Sequence, residues 1–184
     1  MRALVVYESM YGNTHVVADH VAGGLRPTHE VTIVAVGQAT EELVAAADLL
    51  VVGGPTHMHG VSSVASRRLA VQAAGKEGSK LRLDPDATGP GLRDWLGWAS
   101  PIGHGNALAA AFDTRLDGLP LFTGRAGRGI ARLLQRRGYR LIAAPESFIV
   151  GPDTRLLDGE DARATRWGSA LGIIATDAYA PAGS

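Results

Sequence analysis

The sequence contains no cysteine. That absence excludes disulfides, thiolate metal ligands and thiol redox chemistry, and it fits a reducing compartment. Electrons moved by such a chain must travel on a bound cofactor. Net charge is also absent, because 18 Lys and Arg cancel 18 Asp and Glu. No global field therefore draws the protein to nucleic acid or to an anionic membrane surface. No apolar run approaches the roughly 20 residues that cross a bilayer. The first strand begins almost at once, with no basic, signal-like leader before it. A soluble, cytoplasmic protein is the expectation.

What remains is globular. A chain of 184 residues with 46% hydrophobic content can form one domain, 1–184, with a full core. Its organising stretch is Val5 to Thr14. The apolar residues Ala3 to Tyr7 predict a buried strand, and helical spacing of Val17, Val21 and Leu25 predicts a helix from Asn13 to Leu25. Between them lies a polar turn with Ser9, Gly12, Asn13 and Thr14. Such a turn offers backbone N–H groups at a helix N-terminus, where the dipole favours an anion. The bland alternative is a loop in which Asn13 or Thr14 only caps the helix.

The strand–helix alternation continues. Strand two is read at Glu30 to Val36, a short helix from Thr40 to Ala46, and strand three at Asp48 to Gly53. Strand three runs into the turn-rich loop Gly53-Gly54-Pro55-Thr56-His57-Met58-His59-Gly60. Ser62 or Ser63 starts a helix through Ala74. Residues 75–105 are irregular, with Leu92, Trp95 and Leu96 marking a short amphipathic helix; this is an elaboration beside the ligand site. Strand four is read at Leu108 to Phe112, then a third loop with Asp113, Thr114, Arg115, Pro120, Phe122 and Gly124. A helix follows from Ala126 to Arg137, with Gly138 at its C′ position. Strand five runs from about Tyr139 to Phe148 with its ladder interrupted at Pro145. The last helix spans Gly159 to Ala178, with Ala164, Trp167, Leu171 and Ile174 on one stripe. Ala180 to Ser184 should fray.

Five strands alternating with helices imply an α/β fold with a parallel sheet covered on both faces. The three polar loops all follow strands, so they open on one sheet edge, where ligands of such sheets bind. This convergence strengthens the phosphate reading of Ser9 to Thr14.

At Ser9-Met10-Tyr11-Gly12-Asn13-Thr14 the sequence resembles the flavodoxin-like family, whose first-strand turn is typically Ser/Thr-x-Thr-Gly-x-Thr. Gly54-Pro55-Thr56 is similar to the family's second flavin loop. Ala111 to Arg115, followed by Gly129 to Arg132, also resembles the menaquinone-dependent protoporphyrinogen oxidase branch. The resemblance implies a flavodoxin-like three-layer sandwich, a five-stranded parallel sheet of order 2-1-3-4-5, and FMN as cofactor. Ser9, Met10, Tyr11, Gly12, Asn13 and Thr14 would hold the phosphate. Pro55, Thr56, His57, Met58, His59 and Gly60, with Thr114, Arg115 and the third loop to Gly124, would flank the ring. Asp113 could pair with Arg115 or bond a ligand group.

Two features depart from a shuttle flavodoxin. The second loop offers His57, Met58 and His59 where an aromatic residue usually stacks on the ring; a histidine could stack or hydrogen-bond, and Met58 gives a soft apolar contact. The chain is neutral rather than acidic, and Arg115, Arg125 and Arg128 lie near the third loop. A cation at the ring's N1–C2=O edge raises its potential, so a less reducing flavin is expected.

Other signals read as structure. His57 and His59 lack a third ligand, so no metal site is assigned. The arginines from Arg125 to Arg140 lack interleaved aromatics and read as a solvated helix face, not a nucleic-acid patch. Trp95 and Trp98 either lid the flavin or pack the extra helix on the sheet. A phosphorylated receiver domain is excluded, because strand three ends in Gly53-Gly54-Pro55 rather than aspartate. The expected function is electron transfer from a reduced donor to a quinone or a redox protein, with no catalytic side chain. A non-catalytic electron carrier, or a flavin-free binding protein on the same fold, are the competing readings.

Overall fold

A computed structural model describes residues 1–57, 60–98, 107–118 and 124–179. In chain order the elements are β1 (Arg2–Tyr7), α1 (Asn13–Leu25), β2 (Glu30–Ala35), a 3-10 turn (Val36–Gln38), α2 (Glu41–Ala45), β3 (Leu49–His57) and β4 (Gly60–Val61). Then come α3 (Val64–Ala74), α4 (Leu92–Trp98), β5 (Leu108–Leu116), α5 (Ala126–Arg136), β6 (Arg140–Leu141), β7 (Glu146–Val150) and α6 (Glu160–Tyr179). Parallel pairing gives the order β2-β1-β3-β5, with β6 and β7 both beside β5. The expected order 2-1-3-4-5 is present, its fifth position split in two.

The split has a local cause. Between Ala109 and Phe112 β5 advances three residues, while its neighbour advances five, from Leu141 to Glu146. Two extra residues must bulge out, and Pro145, which has no N–H to give to a ladder, lies in the gap.

Alternation of side chains across the pleat builds two cores. On one face Val5, Tyr7, Val51, Ala110 and Phe112 pack beneath α1 and α6. On the other, Leu4, Val6, Leu50, Val52 and Ala111 meet Leu92, Trp95 and Leu96 of α4 and Ile130 and Leu134 of α5. Trp95 therefore packs the extra helix on the sheet; its indole N–H donates to the Ala39 carbonyl at 3.1 Å. The Trp98 side chain lies outside the described residues, as do Pro120, Phe122 and 180–184.

Two strands run further than their composition suggests. β3 continues through Gly53-Gly54-Pro55 to His57, and β5 continues to Leu116. The ladder to β5 continues through Gly53↔Phe112 to Pro55↔Thr114, and glycine stands at 53 because a ring crosses it: a Cβ there would lie 2.0 Å from Phe112 Cζ. Phe112, Phe148 and Trp167 then meet edge to face, with centroids 6.0–6.1 Å apart. Burying Phe112 alone contributes about 2–3 kcal/mol.

The last helix also differs from its expected stripe. α6 buries Ala164, Gly168, Leu171, Gly172 and Ala175, and Ile174 is 41% exposed. The buried face is made of small residues because α1 approaches to backbone contact. A Cβ on Gly168 would stand 2.2 Å from the Val21 carbonyl oxygen, and one on Gly24 2.1 Å from that of Thr165. Among the described residues no helix is long and apolar enough to cross a membrane.

Candidate functional site

The carboxyl ends of β1, β3, β5 and β7 share one sheet edge, and a cavity of about 190 Å³ opens there. Its walls include Asn13 and Thr14 from the first turn, Pro55 to His57 from β3, and Thr114 and Arg115 from β5.

The first turn is built around Gly12, which has φ +91°, a left-handed conformation that a side chain would strain. Its N–H donates to Ser9 Oγ at 3.0 Å, leaving the Ser9 hydroxyl proton free to be donated elsewhere. Gly12 is also the N-cap of α1 and provides no side-chain cap, and the first turn of α1 carries no acidic residue. Its backbone donors thus meet no capping side-chain oxygen and no carboxylate from their own turn. Behind the turn, His15 Nδ1 lies 3.2 Å from Asp84 Oδ2, and the Asp84 N–H donates to the Met10 carbonyl at 2.9 Å. The segment before α4 therefore braces the turn from outside.

Side-chain bonds tie this turn to its neighbours across the edge. The Thr14 and Thr114 hydroxyls share a buried bond of 2.7 Å. Asn13 Nδ2 donates to the Thr154 carbonyl at 2.8 Å. Thr154 has φ 59°, which costs a β-branched residue about 1–2 kcal/mol. That strain sits on the pocket wall, in a fourth loop after β7, where Val150 at the strand's end and Thr154 in the loop both line the cavity. Sequence reading missed this loop, although Gly151-Pro152-Asp153 is a turn signal directly after a strand.

On the other side, Thr56 Oγ1 accepts the Ala126 N–H at 3.0 Å and docks the start of α5. His57 lines the pocket, and burial holds its imidazole below the usual histidine range against the opposing pull of Glu8. Arg115 lines it too, with Nη1 donating to the carbonyls of Leu116 (3.1 Å) and Gly118 (2.9 Å).

Of the residues expected at a flavin site, Met10, Tyr11, Asn13, Thr14, Pro55, Thr56, His57, Thr114 and Arg115 share this pocket. Ser9 is buried behind the turn and shapes it. Gly60 and Gly124 line a neighbouring groove instead. Asp113 is not on the wall: it is buried, Oδ2 accepts the Gly127 N–H at 2.6 Å, and burial raises its carboxyl above the usual range. It ties α5 to the sheet. Met58 and His59 lie outside the described residues.

Comparison with known proteins bears on the fold that carries this pocket. Residues 5–92 match the sequence model of the flavodoxin family. A flavodoxin from the domain Archaea is similar over 96% of this chain and 99% of its own, with 18% identity and a TM-score of 0.66. Oxidised Flavodoxin 1 from Bacillus cereus gives 18% identity and a TM-score of 0.63, over 96% of this chain and 98% of that one. Rubredoxin oxygen:oxidoreductase from the anaerobe Desulfovibrio gigas matches 98% of this chain with 37% of its own, at 14% identity and a TM-score of 0.66. No curated protein matches the sequence.

Flavodoxins bind FMN. The residues here fit that cofactor: an uncapped helix start supplies donors for a phosphate, and the adjoining pocket is mostly apolar between Pro55 and Leu116. Over residues 5–92 the sequence matches the flavodoxin family, and across its described residues the chain has the flavodoxin-like fold.

Proposed function

We propose that this single domain is an FMN-dependent oxidoreductase passing electrons from a reduced donor to a quinone or a redox-protein acceptor. FMN-type electron transfer is the function common to its family, and the finer reading rests on this chain's own residues. The observation that carries it is the uncapped start of α1 on the same edge as the β3, β5 and β7 loops.

When bound, the flavin supplies the redox chemistry. Backbone donors from Met10 to Thr14, with the Ser9, Asn13 and Thr14 side chains, would hold its phosphate. Pro55 to Gly60 and Thr114 to Gly124 would border the ring. His57, kept neutral by burial, adds no charge there near neutral pH. Arg115 adds a fixed cation. The chain's overall net charge is zero, without the acidic excess that helps hold a shuttle flavin at low potential. The flavin is therefore less reducing than in such a shuttle.

The competing reading is a carrier without turnover. Steady-state assays with NADH, NADPH or reduced deazaflavin as donor and a soluble quinone as acceptor separate the two. Quinone turnover by the FMN-loaded protein supports the oxidoreductase. Salt-dependent association with a reductase, without quinone turnover, supports the carrier. A potentiometric titration placing the midpoint in the range of low-potential shuttles contradicts the less reducing flavin.

A further inference from the structure

Next to the flavin pocket lies a second, larger groove of about 730 Å³ that the cofactor reading does not use. Five arginines line it: Arg93, Arg125, Arg128, Arg132 and Arg136. The chain as a whole is neutral, so this is a local concentration of charge. None of the five has a carboxylate within ion-pair distance among the described residues, whereas Arg67 and Arg163 do. Arg93 is fixed by neutral acceptors, donating to the carbonyls of Ser62 (3.1 Å) and Val61 (2.6 Å), so its charge stays uncompensated. Asp113, which feels the charge of Arg125, is buried and engaged with the Gly127 N–H.

Helix stability does not account for this arrangement. Arg128, Arg132 and Arg136 follow one another at four-residue spacing on α5, which contains no acidic residue. Like charges at that spacing cost about 0.2–0.5 kcal/mol per pair. Arg125 at the N-cap and Arg128 in the first turn also oppose the helix dipole. An anion in the groove would turn each of these costs into a gain.

We propose that the groove is a binding subsite for a small redox substrate carrying clustered anionic groups, phosphates or carboxylates. Its concavity favours a small molecule, since the volume falls within the ~300–1,000 Å³ usual for such sites. Its position favours a redox partner. Gly60 on the groove wall pairs across the β3–β4 hairpin with His57, which lines the flavin pocket. The three guanidinium-bearing positions on α5 span eight residues, about 12 Å of helix, long enough for two separated anionic groups. Gly129 keeps that wall close to the hairpin, because a Cβ there would come within 2.8 Å of Val61 Cγ2. The occupant's redox role rests on the FMN reading; the anion site does not.

The test is calorimetric titration of the FMN-loaded protein with inorganic pyrophosphate and, separately, with citrate at low ionic strength. Loading occupies the α1 phosphate cradle, so it cannot supply the signal. The expected result is one saturable site per chain, weakened about tenfold or more in Arg128→Ala/Arg132→Ala and further by Arg132→Glu. Both arginines are exposed, and FMN affinity in the variants should stay within about twofold of wild type. Tighter pyrophosphate identifies a phosphorylated substrate, and tighter citrate a polycarboxylate. If FMN does not load, the same titration of flavin-free protein still reads the arginine dependence, so the two readings fail separately. Binding of neither anion, or equal binding by wild type and variants, overturns the proposal. So does capture of an acidic protein on this face when neither small anion binds.

Discussion

Replacing Asn13 by aspartate distinguishes an anion cradle from an ordinary helix cap, because the two make opposite use of a negative charge at the start of α1. In the protein alone the effects nearly cancel. The substitution removes the Asn13 Nδ2 bond to the Thr154 carbonyl, which is 2.8 Å long and worth about 1 kcal/mol net. It adds an acid to a first turn that has none, which stabilises by about 0.3–1 kcal/mol through the dipole. Stability should therefore stay within about 1 kcal/mol of wild type. With a phosphate bound beside it, the carboxylate repels each unit of phosphate charge by about 3 kcal/mol at a separation near 5 Å and an effective dielectric near 20. That corresponds to a loss of FMN affinity of about 100-fold or more. Riboflavin, which lacks the phosphate, provides the control. Fluorescence titrations should show FMN binding collapse while riboflavin binding changes little. Equal weakening of both flavins, or no weakening of either, would refute the phosphate assignment.

Other substitutions test the packing that positions the site. Gly53→Ala places a Cβ 2.0 Å from Phe112 Cζ and should destabilise by about 2–3 kcal/mol in urea melts. Gly168→Ala meets the Val21 carbonyl at 2.2 Å, backbone that cannot turn aside, and should cost about as much by parting α6 from α1. Glu8 is buried, accepts from Ser62 and from the Leu92 N–H at 2.6 Å, and stands 3.4 Å from Arg67; Glu8→Gln should cost about 2–4 kcal/mol. Burial holds His57 below the ordinary value of 6.5, so below pH 6.5 the unfolded chain takes up a proton that the folded protein refuses. The stability this contributes is complete above pH 6.5 and is lost as pH falls through the folded value; His57→Gln should flatten that part of the curve.

The sheet was legible because its apolar runs are long and buried on both faces, as in Leu49 to Val52 and Leu108 to Phe112. The first turn was legible because its residue types and its place between a strand and a helix coincide. Contacts made at a distance in sequence were not. Nothing around Gly53-Gly54-Pro55 announces that Phe112 crosses it or that β5 pairs with it as far as Pro55, and Ile174 fits the helical stripe that α1's close approach assigns instead to Gly168, Gly172 and Ala175. Asp113 stands beside two pocket residues, yet its carboxylate turns to the N–H of Gly127 fourteen residues on. Thr154 was missed for a related reason: its role depends on Asn13, which reaches it from the opposite end of the chain.

The most direct measurement is FMN binding by the purified chain. Cofactor occupancy at the α1 start predicts a yellow protein, or stoichiometric quenching of added FMN fluorescence at micromolar concentration with one flavin per chain. A colourless protein that leaves FMN fluorescence unchanged at that concentration would contradict it.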